Sequence, residues 1–459
     1  MRNATLHHKV LWAASLAVLV FGGLCAGHRY ALDVAVDYDA GTFAGTLDIG
    51  FVNPAPRDLD EVWFRVYANA PGLFGSAHVD VLSAEVHGVA APLAAFVDDT
   101  AWVVSLPAPL APGQSASLRL AFEGRASRLD RSDPGDAGYG LLTKSDHALT
   151  LTTFYPVIAP YLDEGWALDP VMPFGDALFA EAADYLVTLR LPEGVRAIPP
   201  LEGQPPRTYA ATSARDVAFV LVDDDRVAVS ASWRAGAALA WFEPPHAEAA
   251  TLAAQHAAAA LDVFSSHLGP PPQETLHVVE VPLAGVAGME LHGMVLVSSA
   301  YGARPRDPFF EVIVSHETAH QWFYAAVGND PVEAPWLDEA FATYLSNVYF
   351  AEIVSEARAE AERQDWALRY ASARATYPLL GPGSPLYAFP DGTTYSAFVY
   401  SGGALALAKM RAEMGDEAFF VALRSYVCAL TGRIATPEDL AAALAAQGGL
   451  LDDGLSPCP

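Results

Sequence analysis

Residues 312–344 read VIVSHETAHQWFYAAVGNDPVEAPWLDEAFATY. His316 and His320 stand at i and i+4, so a helix puts both imidazoles on one face, one turn apart. Two imidazoles at that separation can chelate one zinc ion, and Glu317, beside the first, is placed to take a proton from a water at the metal. The run from Phe309 to Val327 is expected to be helical, with Pro308 before it and Gly328 as its stop. Zinc of this kind needs a third protein ligand and an open fourth position. Glu339 follows His320 after the eighteen residues 321–338, in an apolar run that opens with the helix-starting Pro335. A second helix packed on the first would aim its carboxylate at the histidine pair. The bland alternative, two satisfied core histidines and a locally capping glutamate, explains each residue singly but not the three together.

Upstream of this stretch the texture is different. From about Tyr30 to Trp241 short alternating runs such as YALDVAVDYD, GTFAGTLDIGFVN and YLVTLRLPEG are separated by Gly, Pro, Asn and Asp. Period-two runs with turn punctuation predict an antiparallel, sandwich-like all-β domain over residues 28–240. Near Pro244 the pattern becomes helical: PHAEAATLAAQHAAAALDVFSSHLG ends at Gly269 before three prolines, and ETLHVVEVPL and GMVLVSSA then read as strands. Long helical runs follow the metal stretch, so residues 241–450 are expected to form an α+β catalytic domain, with 451–459 as a tail. A chain of 459 residues is too long for one core, which suits this multidomain division.

The charge balance narrows the partners. With 54 acidic against 26 basic residues the formal net charge is −28, a surface that repels nucleic acid and anionic headgroups. Arg2 and Lys9 precede an uncharged stretch from Val10 to Gly27, the shape of a secretory signal in residues 1–27. The same stretch is long enough to stay as a membrane anchor, so export is expected with cleavage or anchoring both open. Cys428 and Cys458 either pair in an oxidising compartment or remain thiols; neither has metal or redox spacing.

With HETAH and WLDEAFATY at this separation, the chain resembles the gluzincin family of membrane alanyl aminopeptidases and leukotriene-A hydrolase, including its bacterial members. The stretches GTFAGTLDIGFVNPAPRDLDEVWFRVYANA, TTFYPVIAP and LDVFSSHLGPPPQETLHVVEVP are similar to other parts of that family. The resemblance implies a thermolysin-like catalytic domain behind an all-β N-terminal domain, and one zinc per chain held by His316, His320 and Glu339. Glu317 would be the general base. The family's oxyanion-stabilising tyrosine, in Y-x-K-G, matches Tyr400, with Gly402 in place of the Lys; Tyr395 is the lesser candidate. The family's G-x-M-E-N strand matches Ala287-Gly288-Met289-Glu290-Leu291. Gly288, Met289 and Glu290 would then bind a peptide substrate, the Glu290 carboxylate pairing with its α-ammonium. Leu291 in place of the Asn leaves exopeptidase against endopeptidase open. His292 reads as structural. A non-catalytic module on the same fold is the reading from another class; intact ligands, base and tyrosine weigh against it.

Overall fold

The structure is a computed structural model, and it describes residues 27–446 apart from 71, 130–137, 164, 177, 204–206 and 224. The expected signal or anchor segment before Gly27, and Cys458, lie outside the described residues. Among these no helix is long and apolar enough to cross a membrane.

The alternating runs form strands whose inward residues make the core. In Thr42–Val52 the residues Phe43, Leu47, Ile49 and Phe51 are all buried while their neighbours face outward. This strand pairs antiparallel with Arg29–Asp37, which pairs in parallel with Ala183–Arg190, in a sheet of seven strands. Gly45 is required there, because a Cβ would lie 2.4 Å from the Asp33 carbonyl oxygen. A five-stranded, a four-stranded and a two-stranded sheet are the others described in the β-rich half. Its apolar core does not stop at residue 240: Val279, Val281, Leu291 and Leu296 belong to the same cluster as Leu47 and Phe122. The two halves are therefore welded by continuous packing.

The second half opens with the hairpin Val227–Trp233 and Gly236–Phe242, so the change of texture read near residue 240 falls inside a strand. That hairpin adds Thr275–Val281 and Met294–Ser298 in parallel, and Gly288–Leu291 runs antiparallel at the far edge. Nine helices are described: α1 (Ala247–Leu268), α2 (Ser299–Gly302), α3 (Pro308–Ala319), α4 (Trp336–Tyr349), α5 (Glu356–Thr376), α6 (Gly392–Ser396), α7 (Gly403–Met414), α8 (Asp416–Leu430) and α9 (Pro437–Ala446). The alanines of α1 let it lie close against the sheet, α3 and α4, with Ala249, Ala253, Ala257 and Ala260 fully buried.

The helix expected from Phe309 to Val327 stops at Ala319. Its start is as expected: Asp307 accepts the Phe309 N–H at 3.0 Å and Pro308 takes the first turn. Its end is forced from elsewhere. Tyr324 takes φ +130°, and Arg215, from the β-rich half, donates to the carbonyls of Tyr324 and Ala326 at 2.5 and 3.3 Å. Those contacts hold residues 320–327 as a compact turn, while His320 keeps helical angles and so stays on the face of His316.

Candidate metal centre

α3 presents His316 and His320, and α4 presents Glu339 from its first turn, where an acidic side chain suits the helix dipole. The three functional atoms meet. His316 Nε2 lies 3.1 Å from Glu339 Oε2 and 3.2 Å from His320 Nε2, and His320 Nε2 lies 3.5 Å from Glu339 Oε2. Tetrahedral zinc with bonds near 2.1 Å spaces its ligand atoms about 3.4 Å apart, so this triangle has the edges zinc requires. The tautomer fits too: His320 Nδ1 donates to the Phe323 carbonyl at 2.9 Å, which leaves Nε2 with its lone pair toward the triangle. Burial opposes charge on His320, yet the carboxylates of Glu290, Glu339 and Glu317 outweigh it and raise its proton affinity well above the ordinary range. The pocket demands a cation at this point, and these residues fit zinc.

Glu317 projects beside the triangle, 8% exposed, with Oε2 free of any hydrogen bond. Burial, then the neighbouring Glu290 charge, pushes its carboxyl well above the usual range. Gly288 leaves room for it, since a Cβ there would stand 2.4 Å from Glu317 Oε1. Glu290 follows two residues along the same edge strand, and one oxygen each of Glu290 and Glu317 lies within 4.8 Å of the other and of a His320 nitrogen. Burial and then the charge of Asp176 raise the Glu290 carboxyl likewise. Met289, on the opposite face of the strand, packs toward the β-rich half.

Tyr400 arrives from a π-helical turn, Ala397–Gly402, that precedes α7. Its hydroxyl donates to Glu339 Oε1 and its ring stacks on His316 at 5.7 Å and 8°. The glycines after it explain the approach: a Cβ on Gly403 would stand 2.4 Å from the Cβ of Ala340 in α4. Burial and the Glu339 charge raise the Tyr400 phenol, which keeps it a proton donor. Tyr395 stands behind Tyr400, ring edge to face at 5.7 Å, and does not reach the triangle. His292 turns away: its N–H donates to Asp216 Oδ2 at 3.1 Å, its Nε2 meets Gln273, and burial lowers it to about 4.

Several residues here carry no local signal in the sequence. Asp176, from a loop of the β-rich half, and Asp338 both have their carboxyls raised by burial and then by the charge of Glu339. Asp176 and Glu290 line one cavity with Thr153, Tyr139, Leu73, Phe74, Leu141, Leu178, Met289 and Leu291. Asp216 Oδ2 accepts the Tyr324 hydroxyl at 2.5 Å across 108 residues of sequence. Only the folded chain brings these together.

Comparison with known proteins agrees with this geometry. Residues 253–453 match the profile described as "Peptidase family M1 domain". The chain is 29% identical over 165 residues to Aminopeptidase N of Streptomyces lividans, covering 32% of this chain and 18% of that protein. It is 26% identical over 200 residues to Aminopeptidase M1 of Arabidopsis thaliana, covering 41% and 22%. These matches thus span about a fifth of the relatives' own length. The crystal structure of an M1 zinc metallopeptidase from Deinococcus radiodurans superimposes with a TM-score of 0.65 at 22% identity, covering 92% of this chain and 91% of that one, which establishes the fold. A mutant of an M1 zinc metallopeptidase from that organism, bound to a Tyr-Ser-Ala substrate, superimposes with a TM-score of 0.61 at 21% identity.

Proposed function

We propose that the chain, whose residues 253–453 match the profile described as "Peptidase family M1 domain", is a zinc-dependent aminopeptidase, with one zinc per chain, that removes single residues from the N-termini of peptides. The observation that carries this is the closeness of Glu290 to Glu317, within 4.8 Å. In a peptide the α-nitrogen is about 2.5 Å from the first carbonyl carbon. A carboxylate holding the ammonium must therefore stand next to the base that activates water, as Glu290 does. The amino side of the cut is walled by Leu73, Phe74 and Tyr139 of the β-rich half, which supports an exopeptidase over an endopeptidase.

Zinc held by His316, His320 and Glu339 would supply Lewis acidity to the scissile carbonyl and to the attacking water. Glu317 accepts the water's proton as the water oxygen bonds to the carbonyl carbon. It then passes that proton to the amide nitrogen as the C–N bond breaks. Its raised proton affinity suits a group that must both take and return a proton. Tyr400 donates its O–H to the oxygen on which charge develops. The free edge of Gly288–Leu291 supports an extended substrate by strand addition, and Glu290 pairs with its ammonium.

Glu290→Gln tests the assignment. The variant should raise KM for free α-amino substrates at least tenfold while leaving Ki for N-acetylated peptides, used as competitive inhibitors, unchanged; an equal effect on both removes Glu290 from amine recognition. We also infer export: the basic start and apolar stretch before Gly27 support an extracytoplasmic location, secreted or membrane-anchored, and the N-terminal mass of the mature protein distinguishes the two.

A further inference from the structure

The edge strand Gly288–Leu291 carries Glu290, yet little of the sheet holds it. It is four residues long and, among the described residues, pairs only with Met294–Ser298. Leu291 pairs with Met294, so His292 and Gly293 make a two-residue turn. Gly293 has φ +73°, whereas His292 stays outside the positive-φ region. The turn is therefore neither of the primed types, I′ or II′, that match the twist of a hairpin. A hairpin closed in this way needs support from outside its own strands.

That support reaches three successive backbone groups. Gln321 Nε2 donates to the Leu291 carbonyl at 3.1 Å, and Gln321 Oε1 accepts the Gly293 N–H at 3.0 Å. Between them the His292 N–H donates to Asp216 Oδ2 at 3.1 Å. Gln321 is 2% exposed and spends both functions of its amide on this turn. Asp216 Oδ2 also accepts the Tyr324 hydroxyl, and Tyr324 holds φ +130°, a conformation that few side chains adopt. Both struts start beside the metal centre. Gln321 follows His320 directly, and Tyr324 follows Phe323, whose carbonyl accepts the His320 Nδ1–H. Glu317 lies on α3 just before them.

We propose that Gln321, supported by Asp216 and Tyr324, is a positioning residue that fixes the distance between the amine-binding Glu290 and the zinc–Glu317 pair. This rests on the aminopeptidase reading above, in which Glu290 holds the α-ammonium. The α-nitrogen and the scissile carbonyl belong to one residue of the substrate, so both must be met at once. An edge strand free to slide or tilt meets one and misses the other. Gln321 links the two by a short path: it is next to His320 in the chain and hydrogen-bonded to Leu291, the residue after Glu290. A primary amide suits this task, because it offers a donor and an acceptor at fixed separation to a carbonyl and an N–H across the turn.

The test measures binding by calorimetry to the zinc-loaded full chain, using leucine hydroxamate and 4-methylpentanehydroxamate. Both engage the metal through the hydroxamate, and only the first offers an ammonium. Gln321→Met keeps the side chain's length and removes its amide. It should weaken leucine hydroxamate about tenfold or more, leave 4-methylpentanehydroxamate within about twofold, and retain zinc. In the Glu290→Gln background the same substitution should add less than about twofold, because the group it positions is already gone. Tyr324→Phe should weaken leucine hydroxamate alone by about two- to fivefold, and it decides the matter if Gln321→Met fails to fold. Equal weakening of both hydroxamates, loss of zinc, or full additivity with Glu290→Gln overturns the proposal and leaves the aminopeptidase reading intact. A Glu290→Gln variant that binds leucine hydroxamate as tightly as the wild type overturns both.

Discussion

In the proposed mechanism Glu317 and Tyr400 divide the chemistry, and their surroundings say what replacing each should do. Glu317 lies against Gly288 and beside the ligand triangle without belonging to it, so Glu317→Gln should keep zinc and lose the proton relay. A drop in kcat of about 10²–10⁴ with stoichiometric metal is expected, read by steady-state kinetics and metal analysis; loss of zinc in this variant would contradict its role as base. Tyr400 is different, because its hydroxyl also braces Glu339. Tyr400→Phe should lower kcat by about 10²–10³ with little change in KM. A KM effect alone would instead make it a binding residue. HETAH and Glu339 were legible because helix geometry and fixed spacing turn sequence directly into proximity, whereas Tyr400 was legible only through the resemblance of its stretch to the family's Y-x-K-G. Asp176, Thr153 and Asp216 were not, since the residues they come to lie beside are far along the chain and no periodicity links them. Glu290 was likewise legible through the resemblance of its strand to the family's G-x-M-E-N, but its closeness to Glu317 depends on how that strand docks on α3.

Elements set that closeness. α3 ends at Ala319 instead of Val327 because Arg215 and Tyr324 impose a turn, a tertiary effect that local helix signals cannot announce. The π-helical turn at Ala397–Gly402 was equally invisible, although the Gly402-Gly403 pair that permits it stands in the sequence. The helical texture after residue 244 and the alternating texture before it did announce the right classes of element, because each buries one face at its own period. The turn after α3 is tied to the edge strand through Asp216, which accepts from both Tyr324 and the His292 N–H. Burial raises the Asp216 carboxyl from 3.8 to about 6, so the folded chain holds its proton more tightly than the unfolded chain. This group's contribution is therefore fullest below about pH 4 and falls by about 3 kcal/mol as pH rises through 6. Asp216→Asn should remove that fall. The wild-type minus variant difference in Tm, followed by calorimetry from pH 4 to 7, should decline across the window, and parallel curves would contradict the assignment.

Across the protein as a whole, the two halves meet at the site and neither supplies it alone. The β-rich half lines the cavity beside Glu290 with Asp176 and Thr153 and imposes the Arg215 turn, and the helical half carries His316, His320, Glu339, Glu317 and Tyr400. The division into a β-rich and a helical half was readable from texture; the shared core that joins them was not, because packing between distant strands leaves no mark on either. Five carboxylates (Asp176, Glu290, Glu317, Asp338 and Glu339) gather around two histidines, so a bound cation should stabilise the fold as well as enable turnover. Removing zinc with a chelator should lower Tm, by a free energy of about 4 kcal/mol when free zinc stands near a thousand times its Kd; an unchanged Tm would mean that the triangle holds no metal. The central claim is that zinc and Glu317 act one residue from an anchored ammonium. Mass spectrometry of the products from an apolar-first peptide, run beside its N-acetylated twin, tests it most directly. Stepwise loss of single N-terminal residues from the free peptide, with the acetylated one intact, is the predicted result. Internal cuts, or equal digestion of both peptides, would contradict it.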